Sequence, residues 1–344
     1  MRLLSLLFPL MLGAFEALPE HLPFYELSHE NRLQKIYKSQ IEPHFTRGTE
    51  GTFVGENGVK IKYRLFPISS EKGSIVISSG RTEAMVKYKE LIYDLNHNGY
   101  SVYIMDHRGQ GYSGRMTKDT QMGYVDTFDN YAHDLHHFIV KKVKTRKPKH
   151  LFLLGHSLGG AIAARTLELY ADGFEAAVLT SPMLQPNLYT PNTSNLICKL
   201  ISLEKERKTY APGQTTYDKE EHQFKGNLLT HSTIRFDVAK TESEEHPLTK
   251  IGGPSIGWVQ QACLGSEKTI QEAYKIKIPL LILRGSEDKI VNPEAEDIFC
   301  KEIGTECFGY EIKGAWHELL VEKEPYREET VAAILTFLAV SQEK

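Results

Sequence analysis

Leu151-Phe152-Leu153-Leu154-Gly155-His156-Ser157-Leu158-Gly159-Gly160-Ala161-Ile162-Ala163-Ala164 decides how this chain is read. A short apolar run, long enough only for a buried strand, ends in a serine flanked by glycines, and an alanine-rich helical pattern follows at once. A G-x-S-x-G match alone is weak, since a chain of this length carries one by accident roughly one time in ten. The strand before it and the helix after it make it specific. They are the setting of a nucleophile elbow, a turn so sharp that the serine is forced into strained φ/ψ and the residues two places to either side have to be small. The competing reading is an ordinary strand-to-helix turn with a capping serine.

The same alternation continues on both sides. Ser74–Ser78, Ser101–Met105, Ala176–Leu179, Leu280–Leu283 and Gly309–Ile312 read as strands. Tyr88, Leu91, Ile92 and Leu95 recur at helical spacing, as do Tyr131, Leu135 and Phe138, and Val331, Ile334, Leu335 and Leu338. Short strands that are apolar on both faces and separated by helices call for an α/β fold, a mostly parallel sheet covered by helices on both sides. Upstream, Asn57-Gly58 between alternating residues predicts a hairpin. Between about Ser181 and Lys275 the alternation stops, and charge (Glu204 to Lys208) joins a helical pattern at Leu196, Ile197, Leu200 and Ile201. The expected organisation is an N-terminal segment over residues 1–48, a core over 49–182 and 271–344, and an inserted helical cap over 183–270.

Serine is a weak nucleophile and needs a base, which in turn needs an acid to fix its tautomer. In a strand–elbow–helix arrangement these follow in the order Ser, Asp or Glu, His, after the last strands. Asp288 lies just past Leu280–Leu283 and His317 just past Ile312, which makes Ser157, Asp288 and His317 the candidate triad. Glu287 is the rival acid. Asp106 also ends a strand but precedes the nucleophile, and His156 is read as shaping the turn. An oxyanion hole needs two N–H donors. Leu158, after the nucleophile, is one candidate, and Arg81, in the loop after the early strand, is the other. The Arg81 guanidinium is also a candidate substrate contact, because its fork matches phosphate, against the simpler reading of a loop arginine in a salt bridge. Leu196, Ile197, Leu200, Ile201 and Trp258 are candidates for an acyl tunnel or a membrane-facing surface, against a plain core role.

The chain has 344 residues, a net charge of −3 and no basic run, which argues against a nucleic-acid partner. His133 and His137 have i,i+4 spacing, but Asp134 stands where a metalloprotease helix needs Glu, and a solvated helix face is the reading. No phosphate loop or dinucleotide fingerprint is present, so no metal or cofactor is expected. Cys300 and Cys307 are close enough for a disulfide in an oxidising compartment, with buried free thiols as the alternative. Arg2 followed by the apolar stretch Leu3–Phe15 resembles a signal peptide and is too short for an ordinary span, so export or membrane association is expected, with or without cleavage near Ala14 or Ala17.

Several segments together resemble the bacterial lysophospholipases and monoacylglycerol lipases of the α/β-hydrolase superfamily. They are Ser79-Gly80-Arg81 with Val86-Lys87-Tyr88, Asp106-His107-Arg108-Gly109-Gln110-Gly111-Tyr112-Ser113-Gly114-Arg115, Gly155 to Gly160, Asn227 to Ser232, Gly252-Gly253-Pro254 and Gly314 to Lys323. The cap segments are more similar to the inner-membrane lysophospholipases of Gram-negative bacteria than to the eukaryotic lipases. The resemblance implies cofactor-free hydrolysis of a fatty-acyl ester in a lysophospholipid or monoacylglycerol at a membrane surface, with the cytoplasmic face of the inner membrane as an alternative to export. It also places Ser157, Asp288 and His317 at the family's triad positions and Arg81 and Leu158 at its oxyanion positions. Two positions depart from the pattern. Ser79-Gly80 stands where monoacylglycerol lipases usually carry His-Gly, and Asp288 where these lysophospholipases tend to carry Glu. The rival reactions are a general carboxylesterase or thioesterase on the same scaffold. The rival of another class is a lipid-binding protein without catalysis.

Overall fold

The computed structural model describes residues 16–17, 22–170, 173–188, 193–218 and 223–342. The apolar stretch Leu3–Phe15 lies outside the described residues. Nine strands form one sheet: β1 (Glu16–Ala17), β2 (Thr49–Val54), β3 (Lys60–Phe66), β4 (Gly73–Ser78), β5 (Tyr100–Met105), β6 (Leu151–His156), β7 (Ala176–Thr180), β8 (Leu280–Gly285) and β9 (Cys307–Ile312). Their order is β1-β9-β8-β7-β6-β4-β5-β3-β2. Only the β2–β3 and β3–β5 pairs are antiparallel; all the others are parallel. The β2–β3 turn places Asn57 at φ 53°, the left-handed conformation that asparagine tolerates.

The helices are α1 (Glu30–Ile36), α2 (Glu42–Thr46), α3 (Lys89–His97), α4 (Asp129–Phe138), α5 (Leu158–Leu169), α6 (Ser194–Ile201), α7 (Thr233–Glu245), α8 (Ile256–Glu272), α9 (Pro293–Glu302) and α10 (Tyr326–Ser341). Strand side chains alternate between two cores. Leu151, Leu153, Ala177 and Leu179 meet α4, α5, α8 and α9 on one face. Phe152, Leu154, Ala176 and Val178 meet α3 and α10 on the other. Every residue of the central strands is therefore buried, which is why they read as continuous apolar runs without a polar face.

The chain leaves the sheet after Thr180 and re-enters it at Leu280. This excursion carries α6, α7 and α8. Trp258, Val259 and Ala262 of α8 belong to the main core, so the expected boundary at residue 270 falls inside a core helix. The N-terminal segment is helical from Glu30 to Thr46, with a π turn joining α1 to α2. Leu33, Tyr37 and Ile41 are buried against Tyr93 and against Ile234 and Val238 of α7, so this segment braces the excursion against the core. Two disulfides are formed, Cys300–Cys307 and Cys198–Cys263. The second ties α6 to α8 across 65 residues. Among the described residues no helix is long and apolar enough to cross a membrane.

Candidate active site

Ser157 sits between the last residue of β6 and the first of α5, at φ 52° and ψ −120°. That is a conformation in which a non-glycine residue is strained, and it is held because both flanks are fixed. The Ser157 N–H donates to the Thr180 carbonyl at 3.0 Å, and the Ser157 carbonyl accepts from Met183 at 2.9 Å. At Gly159 any Cβ would run into the Ser78 carbonyl of β4, so the spacing in G-x-S-x-G is a packing requirement of the elbow. His156 accepts or donates at Thr180 Oγ1, 3.1 Å away, and so ties the elbow to β7.

The three distant candidates meet here. His317 Nε2 lies 2.9 Å from Ser157 Oγ, and His317 Nδ1 lies 2.6 Å from Asp288 Oδ2. The Asp288 and His317 loops come together because Gly285, at the end of β8, leaves room for the carbonyls of Ala315 and Trp316, and Glu287 N–H donates to Ala315 at 3.0 Å. Burial disfavours the charge of Asp288, but the His317 imidazole and the N–H groups of Ile290 and Val291 outweigh it and hold its carboxyl below the usual range. Glu287, the rival acid, is exposed to solvent. Asp106 accepts from the N–H groups of Met85 and Tyr112, both at 2.7 Å, and so closes a turn away from the serine.

The loop after β4 faces the elbow, and its N–H groups divide cleanly. Gly80 N–H donates to Glu83 Oε2 at 2.5 Å, and Thr82 N–H to Gln110 Oε1 at 3.1 Å. Gln110 also donates to the Gly80 carbonyl at 2.9 Å. Among the described residues no acceptor takes the N–H of Arg81 or of Leu158, so these two are the donors left over. Gln110 and Glu83 were not singled out from the sequence, although the Asp106–Arg115 segment that carries Gln110 was.

A cavity of about 1070 Å³ opens above Ser157 and His317. Its apolar wall includes Leu188, Ile197, Leu200, Ile201, Trp258 and Val259. Trp258 is buried and donates from Nε1 to Tyr131 at 3.2 Å, so of its two proposed settings the structure gives it the cavity wall and not an outer surface. Leu196 faces away and is 58% exposed. Arg81 stands in the same cavity with its guanidinium over the Trp258 ring, 5.0 Å from the centroid, and Nη2 donates to the Gly252 carbonyl at 2.8 Å. Its Nε has no hydrogen-bond partner, and no carboxylate pairs with it among the described residues, so the salt-bridge reading fails. Burial pushes its pKa down to about 10, which still leaves it a cation at neutral pH.

His133 and His136 are spent on Tyr170, one by hydrogen bond and one by stacking. Among the described residues two other groups bring three ligating atoms together, Glu83–His156–Glu318 and Glu42–Glu242–Glu245. In both an ammonium already bridges the carboxylates: Lys87 at 2.6 Å from Glu83 and Glu318, and Lys38 at 2.9 and 3.2 Å from Glu42 and Glu245.

The family model for serine aminopeptidase, S33, matches residues 69–324. Lysophospholipase L2 of Escherichia coli K12 is 31% identical, over 90% of this chain and 93% of that protein. The probable lysophospholipase L2 of Haemophilus influenzae is 32% identical, over 88% and 96%. Monoacylglycerol lipase of Mycolicibacterium smegmatis is 22% identical over 80% of this chain and 92% of that protein. In fold, the chain matches a soluble variant of monoglyceride lipase from Saccharomyces cerevisiae with TM-score 0.67 at 17% identity, covering 86% of this chain and 95% of that one. With elbow, sheet order and whole-chain similarity in agreement, this chain belongs to the α/β-hydrolase family of lysophospholipases and monoacylglycerol lipases.

Proposed function

We propose that the protein hydrolyses the fatty-acyl ester of lysophospholipids, with Ser157 as nucleophile. The observation that carries this reading is a guanidinium, Arg81, that no carboxylate pairs with among the described residues, in a cavity with an apolar wall that ends on Ser157 and His317. A monoacylglycerol offers a partly buried cation only neutral hydroxyls; a phosphate beside the glycerol offers it a charge. Ser157 Oγ attacks the acyl carbonyl carbon while His317 Nε2 takes its proton, and the N–H groups of Leu158 and Arg81 receive the carbonyl oxygen as it becomes negative. Asp288 holds the imidazolium. Collapse of the tetrahedral adduct breaks the ester bond, and the departing glycerol oxygen takes the proton from His317. Water then attacks the acyl-enzyme, giving its proton to the same nitrogen, and the fatty acid leaves as Ser157 is reprotonated.

Arg81→Met keeps the backbone N–H and removes the guanidinium. A charge-assisted contact of about 1.5–3 kcal/mol should be lost for lysophospholipid, about a 10- to 150-fold fall in kcat/KM. Monoacylglycerol of the same acyl chain should be nearly unaffected. Equal losses on both substrates would remove the phosphate from the reading.

The same reading places the protein at a lipid surface. Leu196, Leu200 and Leu203, on and just after α6, are 58, 56 and 74% exposed, beside the wall that α6 gives the cavity. It also places it outside the reducing cytoplasm. The sequence has four cysteines and all four are in disulfides, which suits export by the basic and apolar N-terminus. Thiol labelling of protein denatured straight from cells should modify no cysteine without reductant and all four after it. Labelling before reduction would point to the cytoplasmic alternative.

A further inference from the structure

We propose that Lys87 is a positioning residue that fixes the oxyanion loop relative to His317. It acts through Glu83 on one side and Glu318 on the other. Lys87 lies in the short 3-10 turn Met85–Tyr88 that leads into α3. Its ammonium is 2.6 Å from Glu83 Oε1 and 2.6 Å from Glu318 Oε1. The other oxygen of Glu83 accepts from Gly80 N–H and Tyr88 OH, both at 2.5 Å. Gly80 is covalently next to Arg81, whose free N–H is the proposed second donor. Glu318 follows His317 directly, and its own N–H donates to Leu229 of the excursion at 2.9 Å. One side chain thus joins the two loops that have to agree in position when the tetrahedral adduct forms.

The electrostatics require the lysine. Glu83 and Glu318 are 6 and 12% exposed and share this one ammonium. Burial disfavours the charge of Glu83, yet Lys87 and then His156 hold its carboxyl down to about 2. With Lys87 gone, two buried carboxylates would be left with only the buried His156 imidazole beside them, and one of these groups would have to take a proton or move. Movement of Glu83 carries Gly80, and with it the Arg81 N–H. A misplacement of about 1 Å in such a site costs about 100-fold in rate. Lys87 does not itself line the acyl cavity, and the apolar side chains that wall it are left in place, so binding should be spared.

The inference rests on the roles proposed for His317 and the Arg81 N–H, and the test separates the two. Full-length wild type and Lys87→Met are compared on a p-nitrophenyl acyl ester and on lysophosphatidylethanolamine, with thermal melts as a check on folding. The expected result is a fall in kcat of about 10- to 100-fold with KM within about twofold, on both esters. The charge-balanced Glu83→Gln/Lys87→Met, in which the amide oxygen still accepts from Gly80, should recover most of that loss. A folded Lys87→Met with unchanged kcat would overturn the inference, as would a double variant no better than the single. Should Lys87→Met fail to fold, Glu318→Met leaves Glu83 and Lys87 paired and, with no acceptor at its end, cuts only the link to the histidine loop. It should lower kcat with KM unchanged, and wild-type kcat there would also overturn the inference. A wild type inert on both esters would take down the proposed catalytic roles themselves. A wild type active on the p-nitrophenyl ester alone would sink the lysophospholipid reading and leave Lys87 to be judged on that ester.

Discussion

Ser157→Ala should lose essentially all fatty-acid release, a fall of about 10⁶-fold in kcat if the serine and histidine act as a unit. The variant keeps the cavity, Arg81 and both free N–H donors, so it should still bind lysophospholipid with an affinity near that of wild type. His317→Ala should fall almost as far, and Ser157→Ala/His317→Ala no further than either alone, because each removes the same proton-transfer step. Additive losses in the double variant would mean that the 2.9 Å contact between Ser157 and His317 is not used in the reaction. Fluorophosphonate labelling gives an independent reading: wild type should be modified at Ser157 and the alanine variant should not.

The largest effect on stability is expected at Arg108, far from any role in chemistry. Its side chain is fully buried, as is that of Asp134. Nε donates to Asp134 Oδ2 at 2.7 Å, and Nη2 to Asp134 Oδ1 at 2.9 Å and to the Glu56 carbonyl at 3.1 Å. Arg108→Met leaves a buried carboxylate without its partner, which typically costs about 3–5 kcal/mol. Burial already raises the Asp134 carboxyl above its ordinary value, with Arg108 opposing. Without the arginine its folded-state pKa rises further above the unfolded one, so stability is lost as pH rises between them. Urea midpoints should therefore show a larger deficit at pH 8 than at pH 5. A deficit that does not change with pH would mean that Asp134 stays ionised in the folded variant at both values, because water has reached it.

These two residues mark the line between what was legible in the sequence and what was not. Ser157, Asp288 and His317 could be named because each is announced locally: a strand, a turn and a glycine in fixed order. Six of the seven strands in parallel pairs, all but the two-residue β1, were legible for the same reason, since burial on both faces leaves apolar runs. Arg108 was visible only as part of a motif. Its partner Asp134 lies 26 residues on, in a helix whose histidines drew the attention instead. The pairing of Glu83, Lys87 and Glu318 joins residues more than 230 positions apart, and nothing local signals it. Cysteine spacing favoured Cys300–Cys307 and passed over Cys198–Cys263, because a separation of 65 carries no local signature. The N-terminal helical segment buries Leu33, Tyr37 and Ile41. That it packs on α7 depends on where the excursion returns to the core, which periodicity does not encode.

The φ of 52° at Ser157 also says something about what this fold gives up. Backbone held in that region costs a non-glycine residue about 1–3 kcal/mol. Glycine would adopt it freely and would have no hydroxyl to react. The protein is therefore less stable than an inert version of itself, differing at one atom group, would be. Selection for stability alone would erase the elbow serine, so its presence there reflects a pressure to keep the reaction that is strong enough to carry a standing thermodynamic handicap.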